Sequence, residues 1–553
     1  MKAGKTSICI MALTMIAGML AGCGGKAKET TAAKSKSKDE ITELTFYNAD
    51  GQEDTWSDPV AEELTKKTGV KLKTDYPVAS DDKKVALMIA EQNYPDLIYA
   101  KGDASSLIDA GALIDMSDLI DKYGPNIKKM YGDEFDKLKY TQDDPSIYQL
   151  SSYKIGGTVF ESTGTAQIQW AALKENDYKL PESLEDYEKM IKDYLAAHPK
   201  TDDGMDTIGL TLSAADWHWM ITLGNPAGFI ADGAPDNGQW LIDDDYNAMY
   251  KFRSEKEREY FKWLNRMYNE GVLDPEFATQ THEDYIAKIA SGRVVALTDA
   301  GWDYSDGEKV LKADGKFDKT YAPLPLTIDK DTKCSALMYQ GLTTGWGVAI
   351  TTACEDPVAA IKYIDYICSD EGQALVNWGI KDVNYFIDES GERYRTDEEI
   401  EKSKTDKDYG KNTGVGFHAY PLPVYGAGVT DNTGSTYTCD SKETVIKEYN
   451  EEEKAACEAW GVDLLIDVFP QADEFDVPKY SPVWAYTKPA EFDDIGNKLD
   501  EIAWPKLISC VIGKEENFDK TYDEMLKELE DAGMSKAEKI LTDIVKEKVK
   551  LVE

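Results

Sequence analysis

Between Leu44 and Leu113 strand-like and helix-like patterns take turns, and this restricts the fold more than any single motif does. Leu44-Thr45-Phe46-Tyr47 has the period of a half-buried strand. Asp58-Pro59 then opens a helix, with the Asp as cap and the Pro at a position whose N–H has no helical partner. Gly69 closes that helix, and Val70-Lys71-Leu72-Lys73-Thr74 alternates again. A second helix is predicted over about 81–92. Pro95-Asp96-Leu97-Ile98-Tyr99 reads as a short apolar strand, followed by a helix carrying Leu107, Ile108 and Leu113. Such an order builds an α/β sheet, whose ligands bind beyond the carboxyl ends of its strands. Those ends carry Asn48, Asp50 and Gln52, then Tyr99, Lys101 and Asp103. Asp50 and Tyr99 are taken as ligand-facing, with ordinary loop polarity as the alternative.

The start of the chain is a leader. Lys2 and Lys5 precede an apolar run from Ile8 to Leu20, too short for a stable membrane span. The run ends in Leu20-Ala21-Gly22-Cys23, which resembles the lipobox of bacterial lipoproteins. The resemblance implies that residues 1–22 are removed and that Cys23 is acylated, palmitate among its chains, with more than one chain for stable anchoring. Gly24 to Glu40 is small, polar and lysine-rich, and residues 23–43 are expected to form a flexible tether with a reach of roughly 20–25 Å.

About 530 residues follow the leader, a length that suggests more than one domain. Acidic residues number 103 against 62 basic ones, a formal net charge of −41. That balance opposes nucleic-acid binding, which depends on Lys and Arg at phosphates. It suits a neutral or cationic ligand, or solubility alone. Six cysteines of the body, Cys334, Cys354, Cys368, Cys439, Cys457 and Cys510, have no CxxC spacing and are expected to be unpaired buried thiols.

Further along, helices are predicted over Leu184 to Ala197, Arg258 to Asn269 and from Pro357, with Gly379 stopping the next one. Tyr321-Ala322-Pro323-Leu324-Pro325 stays extended and is assigned to a strand crossing between domains. Thr405 to Tyr437 is Gly-, Tyr- and Pro-rich without helical period. From Phe492 to Val552 the pattern is helical again.

Thr68-Gly69-Val70, Tyr94-Pro95-Asp96-Leu97-Ile98 and Gly111-Ala112-Leu113-Ile114-Asp115-Met116 stand in one order with Leu180-Pro181-Glu182-Ser183 and Tyr268-Asn269-Glu270-Gly271-Val272-Leu273-Asp274-Pro275. Gly292-Arg293-Val294 before Gly301-Trp302, and Asp356-Pro357-Val358-Ala359-Ala360 before Ser369-Asp370-Glu371-Gly372, continue it. Together they resemble the extracellular solute-binding lipoproteins of ABC-type oligosaccharide importers, in their long-chain form. The resemblance implies a bilobal α/β fold of periplasmic-binding-protein type, two lobes joined by a hinge, with a helical C-terminal extension. Lobe 1 is expected over 44–155 and 326–385, lobe 2 over 156–325, and lobe 2 with the helical region over 386–553. It also implies an oligosaccharide ligand, permease subunits as partner, a monomeric chain and the outer face of the cytoplasmic membrane as location.

Catalytic motifs are scarce: there are four histidines, and no HExxH, GxSxG, P-loop or strand-linked GxGxxG. The expectation is a binding protein and not an enzyme. A two-carboxylate glycoside hydrolase, or a receptor or peptide binder without transport, is the alternative. No cofactor is expected. The resemblance to alginate binders places a calcium loop near Asp202-Asp203-Gly204-Met205-Asp206, where Asp202 and Asp206 match ligand positions. His198 and Lys200 stand where oxygens belong, so a solvated turn is expected, with calcium as the minor alternative.

Aromatic side chains point most directly to a sugar, whose apolar C–H face a flat ring covers. Trp302 follows the run Val294 to Thr298 and is expected to face the ligand, with Asp303 accepting from a sugar hydroxyl. Trp217 and Trp219 diverge on a helix, so one faces ligand, and Trp217 is chosen. Trp346 sits between Gly345 and Gly347, which leave the backbone open to close approach. Tyr385, Tyr425 and Tyr437 are further candidates, whereas Trp263, Trp378 and Trp504 lie in helical patterns and are assigned to the core.

Overall fold

Asp58 caps its helix as expected: its Oδ1 accepts from the N–H of Ala61 at 2.9 Å, Pro59 follows, and Gly69 ends the helix at φ 71°. The computed structural model describes residues 41–77, 83–151, 154–161 and 164–551. Cys23, the leader and the polar run to Glu40 lie outside them. The tether expected to reach residue 43 ends sooner, because Thr42 and Glu43 already pair with Val70 and Lys71.

The first sheet has five strands, in the order Val70–Asp75, Thr42–Asn48, Leu97–Tyr99, Gly347–Ile350 and Leu150–Ser151. The first three run parallel, and Gly347–Ile350 is antiparallel to both its neighbours. Leu44 and Phe46 face one core with Leu64, Ile120, Ile361 and Ile364. Tyr47, Ile98 and Ala349 face a second, smaller core with Val85 and Leu107. Both faces are covered, as a largely parallel sheet requires.

The second sheet orders Tyr321–Leu324, Gly164–Gln169, Val294–Ala300 and Ile208–Leu210. Val294–Ala300 is buried over nearly its whole length, which explains its apolar run. Val295 and Ala296 meet the helices Leu184–Ala197 and Glu255–Asn269. Into this same core the C-terminal helices Ala490–Ile512, Phe518–Ala532 and Met534–Lys550 insert Leu499, Leu507, Tyr522, Met525 and Leu541. The predicted fold is therefore observed: two α/β lobes, the second carrying a helical extension. Among the described residues no helix is long and apolar enough to cross a membrane.

Three described stretches pass between the lobes. Ile155 belongs to the first core and Phe160 packs on the second; Leu337 belongs to the second and Leu342 to the first; Tyr437 belongs to the first and Val445 to the second. Two expectations are corrected here. Tyr321–Leu324 is no crossing strand, since it pairs with Gly164–Gln169 inside the second sheet. Residues 419–437 do not belong to the second lobe, because Ala419, Leu422, Val424, Tyr425 and Tyr437 pack in the first core. The six body cysteines are free, four of them buried.

The middle crossing is tight. A Cβ on Gly345 (φ 96°) would stand 2.1 Å from the carbonyl oxygen of Ala485, and one on Gly347 would stand 2.2 Å from that of Leu150. These glycines admit neighbouring backbone, not a ligand. The C-terminal helices also reach the first lobe. Lys548 Nζ donates to the carbonyls of Lys139, at 3.1 Å, and Tyr140, and Ser105 Oγ donates to Asp493 at 3.3 Å.

Candidate functional site

The buried strand Val294–Ala300 ends where the helix Gly301–Ala313 begins, and Trp302 lies in the first turn of that helix, 59% exposed. Beside it stands Trp217, 50% exposed, with its indole within 8° of parallel and 6.2 Å away between centroids. Trp217 comes not from a helix but from the turn before a short π-helix, Met220–Gly224. The turn still separates the two tryptophans as expected: Trp219 is buried and stacks on Trp504 at 6.4 Å. Backbone of this kind is frequent at functional sites.

Behind the indoles the stack continues inward. Trp217 lies 3.9 Å from the His218 ring, and His218 lies 4.0 Å from His282 at an interplanar angle of 2°. Both imidazoles turn Nε2 toward Oδ1 of Asp303, at 3.5 and 3.6 Å. Asp303 is only 6% exposed. This corrects its expected role: the carboxyl lies beneath the indoles and meets histidines, not a sugar hydroxyl. Its Oδ2 and the Nδ1 of His282 have no hydrogen-bond partner.

The electrostatics of the cluster are tightly linked. Burial pushes Asp303 above the usual carboxylate range although both histidines oppose the shift. Burial and the neighbouring Asp303 hold Asp299 well above it, and Tyr285 donates to Asp299 at 2.6 Å. Burial lowers His282, outweighing the pull of Asp303. Asp216 is partly buried, which raises it, but the hydrogen bond with His218 Nδ1 at 2.5 Å wins and holds it low.

On the first lobe a second polar group forms at the strand ends. Asp50 accepts from Lys101 Nζ at 2.8 Å and from the Tyr420 hydroxyl at 2.7 Å. Tyr99 is fully buried and reaches the group only through its hydroxyl, 2.5 Å from that of Tyr420. The face that Tyr99 was expected to present is supplied by Tyr420, 39% exposed. The link is long in sequence, 321 residues, so no local pattern signals it.

Of the other expected positions, only Trp346 touches either group, through Lys101. Trp346 packs edge-on against Trp484 at 4.8 Å, with Lys101 Nζ 5.0 Å over its ring. It therefore helps to fill the contact between lobes. Tyr425 stacks on Tyr437 at 4.4 Å within the first core, and both are buried. Tyr385 packs near Trp378 at 6.0 Å. Trp263 and Trp378 are buried as expected, and half-buried Trp504 donates to the Ala214 carbonyl at 2.8 Å. In the acidic turn Lys200 pairs with Asp206 at 2.7 Å, and Asp203 accepts from Thr201 at 2.5 Å. A small, partly open cavity of about 30 Å³ lies elsewhere, beside Gly345, Tyr486 and Lys548. The indoles, by contrast, stand on open surface.

The profile of a family described as bacterial extracellular solute-binding protein matches residues 60–380. Lipoprotein LipO of Bacillus subtilis is 23% identical over 399 residues, 68% of this chain and 73% of that protein. The fructooligosaccharide ABC transporter substrate-binding protein FusA of Streptococcus pneumoniae is 25% identical over 244 residues, 41% of this chain and 44% of that protein. Among solved structures, an HMO binding ABC-transporter associated solute binding protein from Bifidobacterium longum infantis superposes with a TM-score of 0.67. That match covers 93% of this chain and 99% of the other at 14% identity, which speaks to the fold alone.

Proposed function

The chain belongs to the bacterial extracellular solute-binding proteins, and on that premise we propose that it captures an oligosaccharide between its lobes and delivers it to an ABC importer. The observation that carries the reading is the pair of exposed, parallel indoles, Trp217 and Trp302, at the carboxyl end of a buried strand. Two exposed tryptophans in register are costly to leave in water without a partner, and their flat faces suit the C–H faces of successive sugar rings. Asp50, Lys101 and Tyr420 supply hydroxyl-bonding groups on the other lobe. A ligand touched by both lobes binds the closed arrangement better and so shifts the hinge equilibrium toward it.

The ligand we propose is a neutral oligosaccharide, a xylan or mannan fragment in the first instance. The printed name of FusA adds fructooligosaccharides to the panel worth testing. The formal net charge of −41 disfavours uronates. The importer partner is a permease pair, the chain acts as a monomer, and acylated Cys23 holds it at the outer face of the membrane. A hydrolase needs two carboxyls about 5–9.5 Å apart across the sugar. Asp299 and Asp303 are instead buried neighbours on one side.

Calorimetry of the purified chain against neutral and acidic oligosaccharides tests the reading. Heat of binding with no new reducing ends is the expected result. Sugar cleavage, or no binding across the panel, overturns it.

A further inference from the structure

Two groups of side chains outside the indole platform bring histidine and carboxylate together: His218, His282 and Asp303, and Asp54, Asp58 and His418. The second group is filled by its own hydrogen bonds. His418 Nε2 lies 2.7 Å from Asp58 Oδ2, and the other oxygen of Asp58 caps a helix. The first group is different. We propose that His218, His282 and Asp303 bind a late first-row divalent cation, with Zn²⁺ as the type.

The distances are those of ligands and not of hydrogen-bond partners. Nε2 of His218 and Nε2 of His282 lie 3.5 and 3.6 Å from Asp303 Oδ1. Hydrogen bonds of this kind close to about 2.7–3.2 Å. Two atoms each about 2.0–2.1 Å from a tetrahedral zinc are roughly 3.4 Å apart. The three ligand atoms all fall within 4.8 Å of one another.

The donor set is also prepared for a cation. Asp216 accepts from His218 Nδ1 at 2.5 Å, so the ring holds a proton there and turns Nε2, the nitrogen a metal would use, toward Asp303. A carboxylate behind the remote nitrogen is the usual support for a metal-bound imidazole. Nε2 of His218 faces Asp303 Oδ1, and Asp303 Oδ2 makes no hydrogen bond of normal geometry although Asp303 is almost fully buried. Imidazole nitrogens select zinc, nickel, copper or cobalt over calcium and magnesium.

One adjustment is required. The two imidazoles are stacked within 2° of parallel at 4.0 Å, so one cation cannot lie in both ring planes. His282 is the ring free to turn: its Nδ1 has no hydrogen bond to lose. Three protein ligands then leave a fourth position for water. The proposal does not depend on the sugar reading, because the metal alone is the probe.

The experiment is equilibrium dialysis of the untagged full chain against Zn²⁺ with elemental analysis, followed by Co²⁺ spectroscopy. One tight ion per chain is expected, with visible bands of tetrahedral strength for cobalt. His282→Ala and Asp303→Asn remove the tight site, and Asp216→Asn weakens it about 10-fold or more. Trp217, stacked on His218, gives a second readout: Ni²⁺ quenches its fluorescence in the parent chain and not in Asp303→Asn. Circular dichroism checks the fold, and near-isosteric Asp303→Asn decides the matter should His282→Ala fail to fold. No tight zinc, or equal uptake by all variants through the acidic surface only, overturns the proposal.

Discussion

Trp217 and Trp302 hold their indole planes within 8° of each other at 6.2 Å, while roughly half of each side chain faces solvent. Parallel planes at that spacing are offset, so the pair makes a two-step platform. Trp302→Ala is expected to weaken oligosaccharide binding by about 2 kcal/mol or more, roughly 30-fold, and Trp217→Ala to a similar degree. Calorimetry reads this directly. Unchanged affinity in both variants places the rings in packing.

Trp219→Ala separates site from scaffold. This indole is buried against Trp504 and Phe252. Its loss should cost about 3–5 kcal/mol of folding stability while folded protein keeps its ligand affinity. Denaturant titration beside calorimetry checks both halves of the statement.

The leading half of the fold is readable because each local signal agrees with the others there. Asp58-Pro59 and Gly69 mark the ends of one helix, and Val294 to Thr298 has no place except inside a sheet. Residues 405–437 are not assignable from sequence because Gly, Tyr and Pro carry no period and do not say which lobe they pack on. Within the site, exposed Trp302 and Trp217 were legible from a strand end and from the divergence of neighbouring side chains. Asp303 was not: sequence places it next to Trp302, yet the first helical turn aims it inward. The approach of His218 to His282, or of Tyr420 to Tyr99, is set by packing across long loops. Gly345-Trp346-Gly347 looked like an opening for ligand because a glycine's empty side reads the same whatever fills it.

His418 and Asp58 form a buried pair, and acid should find it first. Burial raises Asp58, but the hydrogen bond and charge of His418 outweigh it, and the carboxyl sits below its ordinary 3.8. A depressed carboxyl stabilises the fold above the unfolded value and loses that contribution as pH falls through the folded one. His418→Ala is expected to cost about 3 kcal/mol near neutral pH, because it leaves a buried carboxylate unpaired. The penalty should shrink below about pH 4 as Asp58 takes a proton. Denaturation midpoints across pH give the test, and a penalty independent of pH contradicts it.

Lys548 is shifted in the same direction for a different reason. Burial lowers it from 10.5 to about 8. Between those values the unfolded chain binds more protons, so the contribution of Lys548 to stability grows as pH rises from 8 towards 10.5. Because tyrosines titrate in the same range, the quantity to follow is the difference between the parent chain and Lys548→Met. That difference should move in favour of the parent chain across the window; a flat difference rules the shift out.

Cys23→Ala should release the chain from membranes in a fractionation experiment and leave oligosaccharide affinity intact. Retention at the membrane argues for a different anchor.

The close backbone approaches at Gly345 and Gly347 bear on how two halves of such a molecule can move. A strap gripped on both sides by carbonyls, with no volume even for a methyl group, has no torsional slack to give. It acts as a pivot post fixed to its neighbours. Any swing is then expected to fall on the passes between Ile155 and Phe160 and between Tyr437 and Val445, and on the segment from Leu337 to Leu342 ahead of the post. Replacing either glycine by alanine is expected to push the post off its neighbours and strain the joint, at a distance from the indoles.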